Sequence, residues 1–166
     1  MYISHGLLYN NSQPESCYIF INPKLIHMNS LFNDFNWLAV LVGALGYFAL
    51  GAIWYSKVLF ANKWIAYTRV DASNPEAKKG MGIIMLMSFV WMFITCIGIA
   101  ILRSRLELDM WQSGVKLGLL TGVCFGMAAI SISYLYEKRP MGLHCINGGF
   151  TILGNIIAAV IICSWA

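Results

Sequence analysis

Four stretches of this chain, Trp37 to Tyr55, Met81 to Leu102, Leu117 to Tyr136 and Leu143 to Trp165, contain no Asp, Glu, Lys or Arg. A helix rising 1.5 Å per residue crosses the roughly 30 Å hydrocarbon core of a bilayer in about 20 residues. One such run fits inside a large soluble protein as a buried helix. Four runs in 166 residues do not, because a water-soluble core of that size cannot enclose them. Composition agrees, with 59% hydrophobic and 11% charged residues against about 45–50% and 25% in soluble domains. In hydrocarbon every backbone amide needs a partner within the protein, so the crossings are helices. The expected fold is an all-α integral membrane four-helix bundle. Its spans lie at about 37–55, 81–102, 115–136 and 143–165 within a single domain covering 28–166.

The connectors set the topology. Only about residues 137–142 separate spans three and four, so these are antiparallel neighbours. Lys57, Lys63, Arg69, Lys78, Lys79, Lys138 and Arg139 fall on one side of the membrane; Lys24, Arg103, Arg105 and Lys116 fall on the other. Positive loops stay in the cytoplasm, which places both termini outside. Asn33 or Asp34 is a candidate cap for the first span, and Asn74-Pro75-Glu76 is a helix start before the second. Between them Phe60, Trp64 and Tyr67 follow at i, i+4, i+7. This is either a short helix lying flat among the headgroups or a hydrated loop with scattered aromatics. Residues 1–27 hold no long apolar run and no basic leader, and Met28 opens a more natural start. They read as a disordered tail or a mis-assigned start.

Glycine at 114, 118, 122 and 126 recurs every fourth residue in the third span. Residues four apart drift by only about 40° around a helix, so the four form a ridge. Lipid tails offer apolar helices no hydrophobic reason to associate. Close backbone approach across small residues supplies dispersion and weak Cα–H···O contacts instead. Gly114, Gly118, Gly122 and Gly126 are therefore packing residues, against a helix of the same chain in preference to another copy.

In the fourth span His144, Asn147, Thr151 and Asn155 share one face at spacings of three and four. Amides in hydrocarbon must be bonded, so this face points into the bundle. It either lines a polar cavity or ties helices together. The second reading is favoured, with His144 taken as an interfacial residue. A further cluster, Trp54, Tyr55, Glu137 and Arg139, is expected at the cytoplasmic boundary, where span ends meet. The five cysteines (Cys17, Cys96, Cys124, Cys145 and Cys163) show no CxxC or CxxH spacing and read as small packing residues. No nucleophile–base pair, phosphate loop or metal-ligand cluster is visible, so no catalytic residue, cofactor or metal is assigned. With the charges confined to loops, nucleic acid is not an expected partner; the lipid bilayer is, with a second copy or another membrane protein as further candidates.

"GAIWYS" at 51–56 with Phe60 and Trp64, "GVKLGLLTG", "YLYEKRP" and the final "INGGFTILGNIIAAVIICSW" resemble the DUF1761 family of small bacterial membrane proteins of unknown function. The resemblance runs from about Asn29 to the C-terminus and rests on Gly51, Trp54, Tyr55, Ser56, Phe60, Trp64, Glu137, Arg139 and Pro140. The family pattern often has proline after W-Y-S and glycine after the phenylalanine. Here Lys57 and Ala61 stand there, so the first turn of that loop is expected to differ. The resemblance implies the architecture and a bacterial inner membrane, and carries over no catalytic residue. The leading functional expectation is a non-enzymatic multi-pass protein. It acts by packing with a partner or oligomer, or by sheltering a small apolar ligand. The alternative is a small transporter or channel subunit using the span-four polar face; the third is a membrane enzyme working at the cytoplasmic boundary.

Overall fold

The computed structural model describes residues 36–69 and 79–165, all within one compact unit. Residues 1–35, with the proposed tail, start site and Asn33/Asp34 cap, lie outside the described residues, as does the Asn74-Pro75-Glu76 signal. Among the described residues the regular structure is entirely helical: α1 (Trp37–Trp54), α2 (Ala61–Thr68), α3 (Met81–Leu106), α4 (Trp111–Tyr136) and α5 (Met141–Ser164). All but α2 are long and apolar enough to cross a membrane. The chain is thus an all-α, four-span bundle.

Asn36 caps α1, its Oδ1 accepting from the Ala39 amide at 3.1 Å, while its Nδ2 donates to the Trp165 carbonyl at 3.1 Å. The start of α1 and the end of α5 therefore lie side by side, as an even number of crossings requires. The α3–α4 turn is closed by Arg103, which donates to Leu108 O at 3.1 Å and pairs with Asp109 at 2.5 Å.

The axis of the bundle is α5, which touches every other helix. The buried core gathers Val40, Ala44 and Tyr47 of α1, Cys96, Ile99 and Ala100 of α3, Leu117 of α4, and Ala158, Ala159, Ile162 and Cys163 of α5. On α4 an added Cβ at Gly114 would lie 2.7 Å from Ala159 O, and one at Gly122 would lie 2.8 Å from Ile152 Cα. At Gly118 it would overlap the Ile156 backbone. Gly126 has drifted off this line and faces the Thr151 side chain, as the rotation of about 40° per step requires.

Midway, α4 opens into a π-helical turn over Gly122–Met127. Such a turn absorbs about one extra residue. On an unbroken α-helix Tyr134 would sit about 160° around from Gly118, facing away from α5; one absorbed residue brings it back to about 60°. The lower half of α4 is re-aimed at α5 in this way.

Candidate functional site

On the polar face of α5, Asn147 is consumed in bonds between elements. Tyr55, just past α1, donates to Asn147 Oδ1 at 2.8 Å, and Asn147 Nδ2 donates to Tyr134 Oη on α4 at 2.6 Å. One amide thus joins three elements, and the π-turn is what brings Tyr134 within its reach. Trp54 Nε1 donates to Ile146 O at 3.1 Å. His144 is buried, its ring edge-on to Tyr134 at 5.3 Å. It stands in the first turn of α5, which begins at Met141, and is turned toward α4.

The proposed boundary cluster divides. Trp54 and Tyr55 lie half-buried against α5, whereas Glu137 and Arg139 are exposed and pair with one another at 2.9 Å. The groove that Glu137 and Arg139 line does not take in His144.

Sequence reasoning missed a set of sockets on α5. Tyr67 of α2 lies where a Cβ of Gly142 would stand, 2.5 Å from its ring. The Trp54 ring edge lies 3.3 Å from the Cβ position of Gly149, and the Tyr47 ring overlaps that of Gly154. Three aromatic side chains thus rest on bare helix backbone. The available signal was a helix with glycines at 142, 148, 149 and 154, out of four-residue register, facing a protein rich in aromatics.

These sockets also settle the short helix. Phe60 packs tilted against Trp54 at 4.7 Å, and Trp64 meets Tyr55 edge-on at 6.0 Å. The segment is thus a helix and not a loop, and its aromatic face closes over the end of the bundle. Lys57 and Ala61 do not prevent the turn, since Ser56 O accepts from both Leu59 N and Ala61 N at 3.1 Å.

Two of the clefts between the helices border α3. One, of about 380 Å³ between α1, α3 and α5, is walled by Phe48, Met85, Met92 and Phe150, with Tyr55 and Ser88 at its edge. The other, of about 530 Å³, lies between α3 and α4 with α5 as its floor. Thr95, Gly98 and Leu102 form one wall, Thr121, Phe125 and Gly126 the other, and Tyr47, Thr151 and Asn155 the base. No charged side chain lines it. Its base is near mid-span in α1, α4 and α5.

The base has a one-sided hydrogen-bonding character. Thr95, Thr121 and Thr151 each donate to a carbonyl of their own helix at 2.9–3.0 Å. Both hydrogens of the Asn155 amide are used, toward Thr151 O at 2.8 Å and Tyr47 Oη at 3.5 Å, and Tyr47 Oη donates to Thr151 O at 3.4 Å. The Asn155 Oδ1 receives no hydrogen bond from the described residues. Donors are committed and acceptor lone pairs are left over.

Among the described residues no three His, Cys, Asp or Glu side chains gather to hold a metal ion. Searches of curated proteins and of solved structures find no match to the chain. The model of the family described as a protein of unknown function, DUF1761, matches residues 38–163. That match takes in all four spans, the α1–α2 corner built on Gly51, Trp54, Tyr55, Phe60 and Trp64, and the Glu137–Pro140 turn, and the chain belongs to the DUF1761 family.

Proposed function

We propose that this is a non-enzymatic protein of a bacterial inner membrane, both termini outside, that shelters a small uncharged lipophile in the cleft between α3 and α4. The observation that carries the reading is the base of that cleft: a polar floor at mid-bilayer depth, free of charge, reached between two helices that barely touch. A charged head would meet no counter-ion there and would pay heavily for desolvation. A neutral head that donates a hydrogen bond suits the spare acceptors of Asn155 and the threonines. The fitting class is an alcohol or phenol carrying a hydrocarbon tail.

A transport role for the α5 polar face has less support, because Asn147 is spent on Tyr55 and Tyr134 and does not line the cleft that holds Asn155. The orientation rests on the excess of Lys and Arg in the α1–α3 and α4–α5 connectors.

The reading is tested by extracting the protein with its surrounding lipid and identifying what co-purifies by mass spectrometry. Enrichment of a neutral hydroxyl-bearing lipid over the bulk membrane, lost in Asn155→Leu and weakened in Thr95→Val, is the expected result. Equal lipid profiles for all three proteins would overturn it. Melting temperatures of the variants separate lost binding from lost folding.

A further inference from the structure

A second groove, unrelated to the cleft above, lies where α2 meets the α4–α5 turn. It measures about 540 Å³ and is lined by Tyr67, Arg69, Glu137, Lys138, Arg139 and Pro140. Arg69 and Lys138 each end a helix in the left-handed conformation, with φ of 56° and 54°. Both are exposed, and among the described residues neither makes an ion pair. The one carboxylate in the groove, Glu137, is already engaged by Arg139 Nε at 2.9 Å. The groove therefore presents an excess of positive charge on a fixed wall, since Tyr67 is locked into the Gly142 socket.

Its depth matters as much as its charge. With α4 ending at Tyr136 and α5 starting at Met141, the groove sits at the level where lipid phosphates lie. Beside it Tyr136 and Met141 project outward, 88% and 69% exposed, as apolar surface for an acyl chain. Clustered Lys and Arg at that level attract anionic headgroups, and guanidinium and ammonium groups bond phosphate oxygens strongly.

We propose that this groove is a binding site for an anionic phospholipid, with Arg69 and Lys138 holding the phosphate, Arg139 flanking it, and the acyl chains running down past Tyr136 and Met141. The lipid pins α2 to the α4–α5 turn, so its occupancy stabilises that end of the bundle.

The test is thermal unfolding of the full chain in neutral detergent, titrated with short-chain phosphatidylglycerol, short-chain phosphatidylcholine or inorganic phosphate. At tenfold over its dissociation constant, phosphatidylglycerol raises the melting temperature by about 3–6 °C, and the other two do not. The shift is lost in the Arg69→Gln/Lys138→Gln double variant. It is kept in Lys57→Gln/Lys63→Gln, which removes equal charge outside the groove. Equal shifts with both lipids, a shift surviving in the double variant, or its loss in the Lys57/Lys63 control would overturn the proposal. A matching shift with inorganic phosphate would overturn the lipid as occupant. Should the double variant fail to fold, native mass spectrometry of the unaltered chain decides: retained phosphatidylglycerol supports the site, and indiscriminate retention of both lipids rejects it.

Discussion

The helices α3 and α5 are both apolar enough to span a bilayer, yet they stand at opposite extremes of the bundle. The more apolar of the two is α3, and only 17% of its most apolar window is buried in the protein, against 39% for α5. From Met81 to Met87 every residue of α3 is exposed, whereas α5 carries glycines, asparagines and a histidine and runs through the middle. In water that order would be reversed. In lipid, tails solvate Leu and Ile as well as a protein core does, so hydropathy does not select the interior. Side chains that lipid cannot satisfy, or that let backbones touch, select it instead.

The largest predicted effect lies on the α4–α5 seam. Gly118→Ala places a methyl group into the Ile156 backbone, which cannot yield as a side-chain tip can. It is expected to destabilise by about 1–3 kcal/mol or more, seen as a fall of several degrees in the detergent melting temperature. Gly154→Ala, displacing the Tyr47 ring, should behave alike. On α3 an added methyl at Gly98 meets nothing within 4 Å. Gly98→Ala should therefore be neutral or raise stability by up to about 1 kcal/mol. Equal losses at Gly118 and Gly98 would erase the contrast between the two regions.

Next in size is the Asn147 clamp. Asn147→Leu strands the hydroxyls of Tyr55 and Tyr134 and should cost about 1–2 kcal/mol. Tyr55→Phe, which removes one arm only, should cost about 0.6 kcal/mol. Deleting Val123, which is exposed within the π-turn, removes the absorbed residue and restores a regular helix with Tyr134 still about 60° around from Gly118, facing Asn147. After that deletion Asn147→Leu should cost as much as in the parent, an additivity measurable as a double-mutant cycle. Smallest of all, Ile83→Ala and Leu86→Ala on the outer face of α3 should fall within about 0.5 kcal/mol of the parent.

Much of the architecture was legible in the sequence because the constraint behind it is local. A charge-free run of sufficient length is a span whatever surrounds it, and the Lys138-Arg139-Pro140 stop needs no knowledge of the rest. The Gly114–Gly122 stripe announced a close approach, though not that α5 was the partner. The sockets at Gly142, Gly149 and Gly154 were not legible, because each depends on an aromatic ring from a distant segment. The packing of Phe60 and Trp64 against Trp54 and Tyr55 was hidden for the same reason. The π-turn left no mark in composition. Its role emerges only when Tyr134 is found beside Asn147 and His144. The α3–α4 cleft was likewise invisible, since Thr95, Thr121 and Asn155 stand on three helices whose order around the axis no periodicity reveals.

The central claim is that the polar, glycine-bearing α5 is the inner helix and the greasier α3 the outer one. Oxygen-induced relaxation of backbone amides, read residue by residue by NMR in lipid nanodiscs, measures contact with the hydrocarbon without altering a side chain. Strong enhancement across Ile83–Ile94 of α3 and weak enhancement across Gly154–Cys163 of α5 is the predicted pattern. Enhancement as strong on α5 as on α3 would contradict it.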